Sequence, residues 1–427
     1  MPLPLPTSRT EIADIQKDRK KIAVERALKT PFHQDRLAGI DLNKLEDPEE
    51  WTKIPIMDKD QLRAIPPRDF YTQFCYAPKE DIAEFWRSGG VTGIPLFYPK
   101  TFEDTKYGLL SFSRVFQCIE ATSADTVHVS FPLGIHPIGQ AMARAAQNVN
   151  IGTTWAGAGN STPSEAQINL IQLLQPTIWM GMSSYGLHLA NLAEGQGVDL
   201  ASSSVHTLVC SAEQLTDAKR AKIGRMWGAK VYDVFGMTEA GLMGCESTAH
   251  DGFHIWTDMY FIEVVDAETF QPVAEGEQGL LIVTPLWTNN AAPFLRWNSG
   301  DVVTYKEHGA SDTPFSVFPV VKHAHRTVGF FKIRGVNVNH TEFEDFMFGI
   351  PAVADFKAEL VTKNHLEQLK LYIELSRSAE GDAEAQIQTA TKNTFEITPD
   401  ITVLERGTIA AEFESSVKAP RFRDLRQ

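Results

Sequence analysis

Between residues 126 and 235 the chain switches repeatedly between short β-branched or apolar runs and longer stretches with helical spacing. This alternation constrains the fold more than any other feature. The runs 126–131 (TVHVSF), 150–155 (NIGTTW), 177–181 (TIWMG), 206–210 (HTLVC) and 229–235 (AKVYDVF) read as strands. Helical patterns lie between them at 137–148, 164–174, 184–194 and 215–227. Strand–helix–strand alternation predicts right-handed crossovers and a mainly parallel sheet with helices on its faces. Upstream, an amphipathic helix is expected over 8–30, capped at Thr7 or Ser8 and stopped by Pro31, and another helix over 102–120. From 253 to 284 the pattern becomes strand-rich, and beyond about 326 a shorter α+β portion follows, with strands at 369–376 and 400–405 around a helix at 382–394. The expected class is α/β: a large N-terminal domain, 1–326, with mainly parallel sheets flanked by helices plus a β-rich subdomain, and a small α+β C-terminal domain, 327–427.

Composition narrows the function. A chain of 427 residues can bury a large core. Its net charge of −14 argues against nucleic acid or an anionic membrane as the main partner. The four cysteines lie far apart without a C-x-x-C, which points to a reducing compartment and no disulfide framework. The opening MPLPLPTSRT lacks the pattern of a signal peptide, and no apolar run approaches a membrane span, so a cytoplasmic location is expected.

Several segments carry residue types suited to chemistry. Ser88-Gly89-Gly90-Val91-Thr92-Gly93 packs three glycines and two hydroxyls into six residues. Glycine allows close approach to the backbone, and successive N–H groups with the Ser88 and Thr92 hydroxyls make a concave site for phosphate oxygens. No lysine follows Gly93, so this is not the loop ending in Gly-Lys-Ser/Thr; a plain surface turn would use the same residues. Asp233 to Glu239 (DVFGMTE) ends a strand, where ligands of open α/β sheets sit. There Thr238 suits a phosphate oxygen and Glu239 its Mg²⁺, although Thr238 could equally cap a helix. Asp301, after Asn298-Ser299-Gly300, is placed either to accept two ribose hydroxyls or to close a β-turn. Arg334-Gly335-Val336 lies in a basic strand ahead of a capped, acidic helix start at 341–345. Lys418 sits in a polar tail, where nothing physical singles it out. Cys245, His250, His323 and His325 could supply a tetrahedral zinc site, though their spacing matches no strong zinc signature.

Together and in this order, these segments resemble the adenylate-forming enzymes, and among them the phenylacetate–CoA ligase family, over nearly the whole chain from near Trp51 to Arg426. Ser88, Gly90, Thr92, Gly93 and Pro95 match the family loop Ser-Ser-Gly-Thr-Thr-Gly-x-Pro. Ser211-Ala212-Glu213 resembles its Gly-Ala-Glu adenine segment, and Phe235 to Glu239 its Tyr-Gly-x-Thr/Ser-Glu. Arg296 to Asp301 resembles Arg-Tyr-Arg-Thr-Gly-Asp, Arg334 to Val338 matches Arg-Gly-Val-Asn-Val with Glu344 as the later acid, and Lys418 falls on the tail lysine.

The resemblance implies a large domain that binds ATP and an acid, a mobile C-terminal domain, and formation of an acyl-CoA through an acyl-adenylate. Its cofactors would be ATP, Mg²⁺ and CoA, and its partner a small carboxylic acid, with a homodimer compatible. It assigns catalysis to Lys418, Glu239 and Thr238. Nucleotide contacts would come from Ser88, Gly89, Gly90, Thr92, Gly93, Ser211, Ala212, Glu213, Asp233, Phe235, Gly236, Met237, Asp301 and Arg326. The acid pocket would be lined by Phe131, Gly134, Ile135, His136, Trp155, Ala156, Gly157, Ser184 and Tyr185, and the CoA tunnel by Arg334, Gly335 and Val336. Departures are visible: Gly89 and Val91 replace a serine and a threonine, and Phe235 keeps a stacking face without a hydroxyl. The hinge Gly-Arg-x-Asp-Asp reads His325-Arg326-Thr327-Val328-Gly329, and the family's Cys-x-Cys-Gly pair is missing. An aryl or arylacetic acid is the expected substrate. A small hydroxylated or branched acid, a carrier-protein or amine acceptor, and a non-catalytic relative are the alternatives; Glu239, Asp301 and Lys418 speak against the last.

Overall fold

The computed structural model describes residues 3–87, 96–310, 312–326, 330–333, 336–363, 366–414 and 420–426. The chain forms two compact units, each drawn from several stretches. One comprises Met1–Ala124, Leu133–Gly152 and Tyr232–Thr327; the other comprises Asp125–Pro132, Thr153–Val231 and Val328–Gln427.

The second unit holds the parallel sheet. Its strands run in the order Thr207–Cys210, Ile178–Gly181, Thr126–Val129, Gly152–Trp155, and the first three pair in parallel. Every residue of Ile178–Gly181 and Thr207–Cys210 is buried, as befits parallel strands covered on both faces. The helices Ser164–Leu174, Ser183–Gly195 and Asp217–Trp227 fall where helical spacing predicts them. Gly181 is required by close packing: a Cβ there would lie 2.4 Å from the Trp179 ring. The C-terminal part of this unit is a four-stranded sheet in the order Asp400–Leu404, Leu366–Leu375, Val353–Lys363, Phe422–Asp424. Its central pair is an antiparallel hairpin and its outer strands are parallel to their neighbours. Phe343 of the helix His340–Gly349 packs on Phe356 of that sheet, with ring centroids 6.0 Å apart.

The first unit is antiparallel. Its strands follow the order Tyr260–Val265, Gln278–Pro285, Trp297–Lys306, Val320–Arg326, Phe253–Ile255, Gly241–Glu246, Lys230–Met237. The sequence pattern alone makes 229–235 the last of the parallel series. In the structure Lys230–Met237 pairs antiparallel with Gly241–Glu246, because the turn after Met237 is too short for a crossover.

Two buried arginines hold this unit together. Arg114, on the helix Phe102–Cys118, grips both carboxylate oxygens of Asp258 at 2.8 and 2.7 Å, with side-chain exposures of 2% and 0%. Arg296 grips Glu263 at 3.1 and 3.0 Å and donates to the carbonyls of Thr52 and Ile54 at 2.9 and 2.7 Å. Removing one partner of such a pair strands a desolvated charge. Asp258→Ala is therefore expected to lower the unfolding free energy by about 3–5 kcal/mol. Urea unfolding of the two proteins checks this, and a loss below about 1 kcal/mol, the scale of an exposed pair, would refute the assignment.

Candidate active site

In the first unit the site is built around the turn that follows Lys230–Met237. Gly236 is exposed at the end of this strand, and a Cβ there would lie 2.6 Å from the Gly241 carbonyl oxygen and 2.8 Å from the Leu242 Cα. Only glycine lets the returning strand pass so close. Thr238 is half-buried in the turn, and Glu239 is buried beside it. Glu239 Oε1 accepts the Tyr98 hydroxyl at 3.1 Å and lies 3.7 Å from the Lys59 ammonium, while its carbonyl accepts Lys100 Nζ at 3.0 Å. Burial pushes the Lys100 ammonium below its usual range, against the pull of Asp104 and Glu239. A carboxylate oriented this way, next to a hydroxyl, offers hard oxygen ligands of the kind Mg²⁺ takes.

The segments around Phe235 and Asp301 meet through a histidine. Phe235 stacks on Phe253 at 5.4 Å and lies 6.3 Å from the His323 ring. His323 Nε2 in turn lies 3.1 Å from Asp301 Oδ1. The turn before Asp301 is shaped by Gly300 at φ +74°, by Gly300 N–H donating to Asn298 Oδ1 at 2.9 Å, and by Asp301 N–H donating to Ser299 Oγ at 3.0 Å. Asp301 pairs in register with Arg326 across neighbouring strands. Asp233 is buried, with its N–H bonded to Glu246 Oε2 at 2.8 Å, and Met237 packs against a core that includes Met57, Phe74 and Trp297. The segment Gly134-Ile135-His136 lies beside the strand Ile82–Arg87, since Arg87 N–H donates to the Ile135 carbonyl at 3.3 Å and Gln140 holds the Gly134 carbonyl at 2.9 Å.

The zinc reading is corrected here. Cys245 is completely buried, and its neighbour there is Cys118; burial pushes the thiol well above its usual range. His250 lies against Tyr232, at 5.2 Å, and Glu246, at 3.4 Å, while His323 belongs to Asp301. Among the described residues no three histidine, cysteine or carboxylate side chains gather as metal ligands. The His325 side chain lies outside the described residues.

In the second unit Phe131 is buried, and Ala156 and Gly157 both donate backbone N–H groups to the Val129 carbonyl, at 3.1 and 2.9 Å, with Gly157 at φ +78°. Trp155 is exposed and bonds Thr153 Oγ1 at 2.9 Å. Ala212 adopts φ +72°, a conformation a non-glycine residue rarely takes, immediately before Glu213 and after the buried Ser211. Glu213 fastens the start of the helix Ser183–Gly195: it accepts Ser183 Oγ at 2.5 Å, Ser184 Oγ at 2.9 Å and the Ser184 N–H. Lys219 Nζ lies 3.3 Å from Glu213 and 2.8 Å from Glu344, so the buried ammonium links both acids. The residue that pattern reading missed is Gln167. Its side-chain N–H groups reach the carbonyls of Gly157 and Thr162 and the Tyr185 hydroxyl, each at 2.9 Å. A glutamine inside a helix gives no signal in sequence. Val336 is half-buried and pairs with Ile333. Ser88, Gly89, Gly90, Thr92, Gly93, Arg334, Gly335 and Lys418 lie outside the described residues, as does the Arg326 side chain.

The chain is similar to known proteins over most of its length. The family model for the AMP-binding enzymes matches residues 113–286. The phenylacetate–CoA ligase of Thermus thermophilus is 29% identical over 378 residues, covering 86% of this chain and 82% of its own. That of Escherichia coli is 27% identical over 432 residues, covering 97% and 95%. A solved 2-hydroxyisobutyryl-CoA ligase in its postadenylation state shares the fold, with a TM-score of 0.84 at 20% identity over 98% of this chain and 90% of that one. These matches make the chain similar to the adenylate-forming enzymes. Among them, the chain stands close to the phenylacetate–CoA ligases.

The charge state of Glu213 makes a pH prediction. Burial opposes its ionisation, but Lys219 and the Ser183 and Ser184 donors outweigh burial and bring the carboxyl down to about 2. An unfolded glutamate titrates at about 4.3. Its stabilisation is thus complete above that value and is lost as the pH falls towards about 2. The wild type is expected to lose stability more steeply than Glu213→Gln across this window in denaturant titrations at graded pH; parallel curves would contradict the assignment.

Proposed function

We propose that this protein is an ATP-dependent carboxylic acid–CoA ligase acting on an aryl or arylacetic acid. The observation that carries the reading is that Glu239, in its cradle of Tyr98, Lys59 and Lys100, follows the strand whose Phe235 joins His323 and Asp301, all within one compact unit. In the first step a carboxylate oxygen of the acid bonds to the α-phosphorus of ATP and the bond to pyrophosphate breaks. In the second a thiol sulfur attacks the acyl carbon and AMP leaves. Phe235 offers a face for the adenine, Asp301 accepts ribose hydroxyls, and Thr238 binds a phosphate oxygen. Glu239 would hold Mg²⁺, which neutralises charge on the phosphates. Lys418 places a cation against the α-phosphate and the incoming carboxylate, a contribution worth roughly two to three powers of ten in rate.

The residues 1–326 serve as the domain for ATP and acid, and 327–427 as a mobile domain that presents Lys418 first and the strand at Gly335 second. A small hydroxylated or branched acid is the second reading, favoured by His136, which could bond a polar group on the acid. No helix among the described residues is long and apolar enough to cross a membrane, and we place the reaction in the cytoplasm. The reading admits a homodimer.

Pyrophosphate exchange against a panel of aryl, arylacetic and short hydroxy acids, with and without CoA, tests the reading. AMP and pyrophosphate with an acyl-CoA are expected; ADP and phosphate would overturn it. Glu239→Gln is expected to fold normally, by circular dichroism, and to lose its Mg²⁺-dependent turnover. An unchanged Mg²⁺ titration of the rate would remove Glu239 from the site.

A further inference from the structure

The strands Ile82–Arg87 and Phe97–Thr101 form an antiparallel hairpin whose two faces have different surroundings. Side chains alternate across a strand, so Trp86 and Glu84 share a face with their cross-strand partners Tyr98 and Lys100. On the other face Phe85 and Phe97 are exposed, whereas Trp86, Tyr98 and Lys100 are buried. Two of the buried three end on one residue. The Tyr98 hydroxyl donates to Glu239 Oε1 at 3.1 Å, and Lys100 Nζ donates to the Glu239 carbonyl at 3.0 Å. A single hairpin face thus grips both the carboxylate and the backbone of Glu239. The reaction, as derived, gives Lys100 no part of its own.

A buried lysine is costly unless its charge is compensated. Here one ammonium N–H meets the Glu239 carbonyl, and the charge lies 5.1 Å from the centroid of the Trp86 ring, within cation–π range. The ring is itself held: its N–H donates to Glu84 Oε2 at 2.9 Å, and Arg144 pairs with Glu84 Oε1. Asp104 and Glu239 favour the charged form of Lys100 against burial. Asp104 does not depend on Lys100 in return. Its oxygens accept the N–H groups of Thr101, Asn290 and Ala291 and the Asn290 side-chain amide, at 2.7–3.0 Å. Among the described residues, Lys100 is the one donor to the Glu239 carbonyl.

We propose that Lys100 is a positioning residue for Mg²⁺-dependent adenylation: by holding the Glu239 carbonyl it fixes the turn at 238–241, so that the carboxylate bonded to Tyr98 keeps one direction. The inference rests on the ligase reading above. Tyr98 fixes one carboxylate oxygen, and Lys100 fixes the peptide from which that side chain projects. Loss of one hydrogen bond sets the scale at roughly 3- to 10-fold in the Mg²⁺ concentration that half-saturates the rate. The charge by itself acts in the opposite direction. An ammonium repels a dication, so a lysine that contributed only its charge would weaken Mg²⁺ binding, and its removal would tighten it.

The test compares wild type with Lys100→Met and Lys100→Gln in ATP–pyrophosphate exchange at graded Mg²⁺, with backbone hydrogen exchange of the unliganded proteins as a second readout. Lys100→Met keeps the reach of the side chain and removes its donor. Its Mg²⁺ requirement is expected to rise by that factor, while half-saturation by the acid stays unchanged. Lys100→Gln, which can still donate to a carbonyl, recovers part of the loss. Amide exchange across 236–242 rises in Lys100→Met. An unchanged or lowered Mg²⁺ requirement, an equal rise in the half-saturation by the acid, or unchanged exchange across 236–242 overturns the proposal. Where circular dichroism shows that Lys100→Met does not fold, Lys100→Gln decides: a raised Mg²⁺ requirement supports the role, and an unchanged or lowered one overturns it. Each of these failures in an active wild type removes this role alone, whereas a wild type that adenylates no acid removes the ligase reading and this role with it.

Discussion

The buried guanidinium of Arg296 is the constraint from which the strand and turn that carry Asp301 hang. A desolvated cation must find a partner for every donor, and this one takes Glu263 on one side and two backbone carbonyls, Thr52 and Ile54, on the other. Those bonds draw the extended segment before Met57 onto the sheet, where the Met57 N–H meets the Arg296 carbonyl and the Asn298 N–H meets the Met57 carbonyl. They also hold Arg296 at φ +43°, a left-handed conformation that a side-chain-bearing residue adopts only when its surroundings over-determine it. Asn298, Ser299, Gly300 and Asp301 follow immediately. The position of the Asp301 carboxylate, and through it of His323 and Phe235, is inherited from that anchor.

Carboxylates in the two units show how one residue type is put to different uses. Glu239 is held by a phenol and flanked by an ammonium, an arrangement that fixes the direction of its carboxylate. Glu213 is consumed by two serines and Lys219, and its charge is spent on holding a helix start and a second acid, Glu344. The motif residue Glu213 thus works in this structure as a fastening for the backbone around Ser211 and Ala212. The same physics places Glu414, an acid from the end of the chain, on the start of the helix Ser164–Leu174.

Much of this was legible in the residues. The strands at 178–181 and 207–210 and the helix Ser164–Leu174 lie within a residue or two of where period and composition put them, because local spacing decides which face is buried. The order of the short motifs pointed to the adenylate-forming enzymes, to which the comparisons show a likeness. Direction and partnership were not legible. The pattern of 229–235 does not reveal that its strand returns on itself through a turn at Thr238. Nothing local in His323 distinguishes a metal ligand from a partner of Asp301, and nothing local in Gln167 marks the centre of a polar network.

The amino-acid sequence by itself determined the elements, their order and the resemblance to a superfamily, since these depend on periodicity, turn residues and short contiguous motifs. Only the tertiary structure decided which carboxylate meets which donor: Asp301 with His323, Glu213 with Lys219, Glu263 with Arg296, Glu414 with Ser164. These pairs join residues far apart in the chain. Buried polar groups must be satisfied by whatever the fold brings within about 3 Å, so a partner's identity is a property of the packed chain and not of the residue's neighbours in sequence.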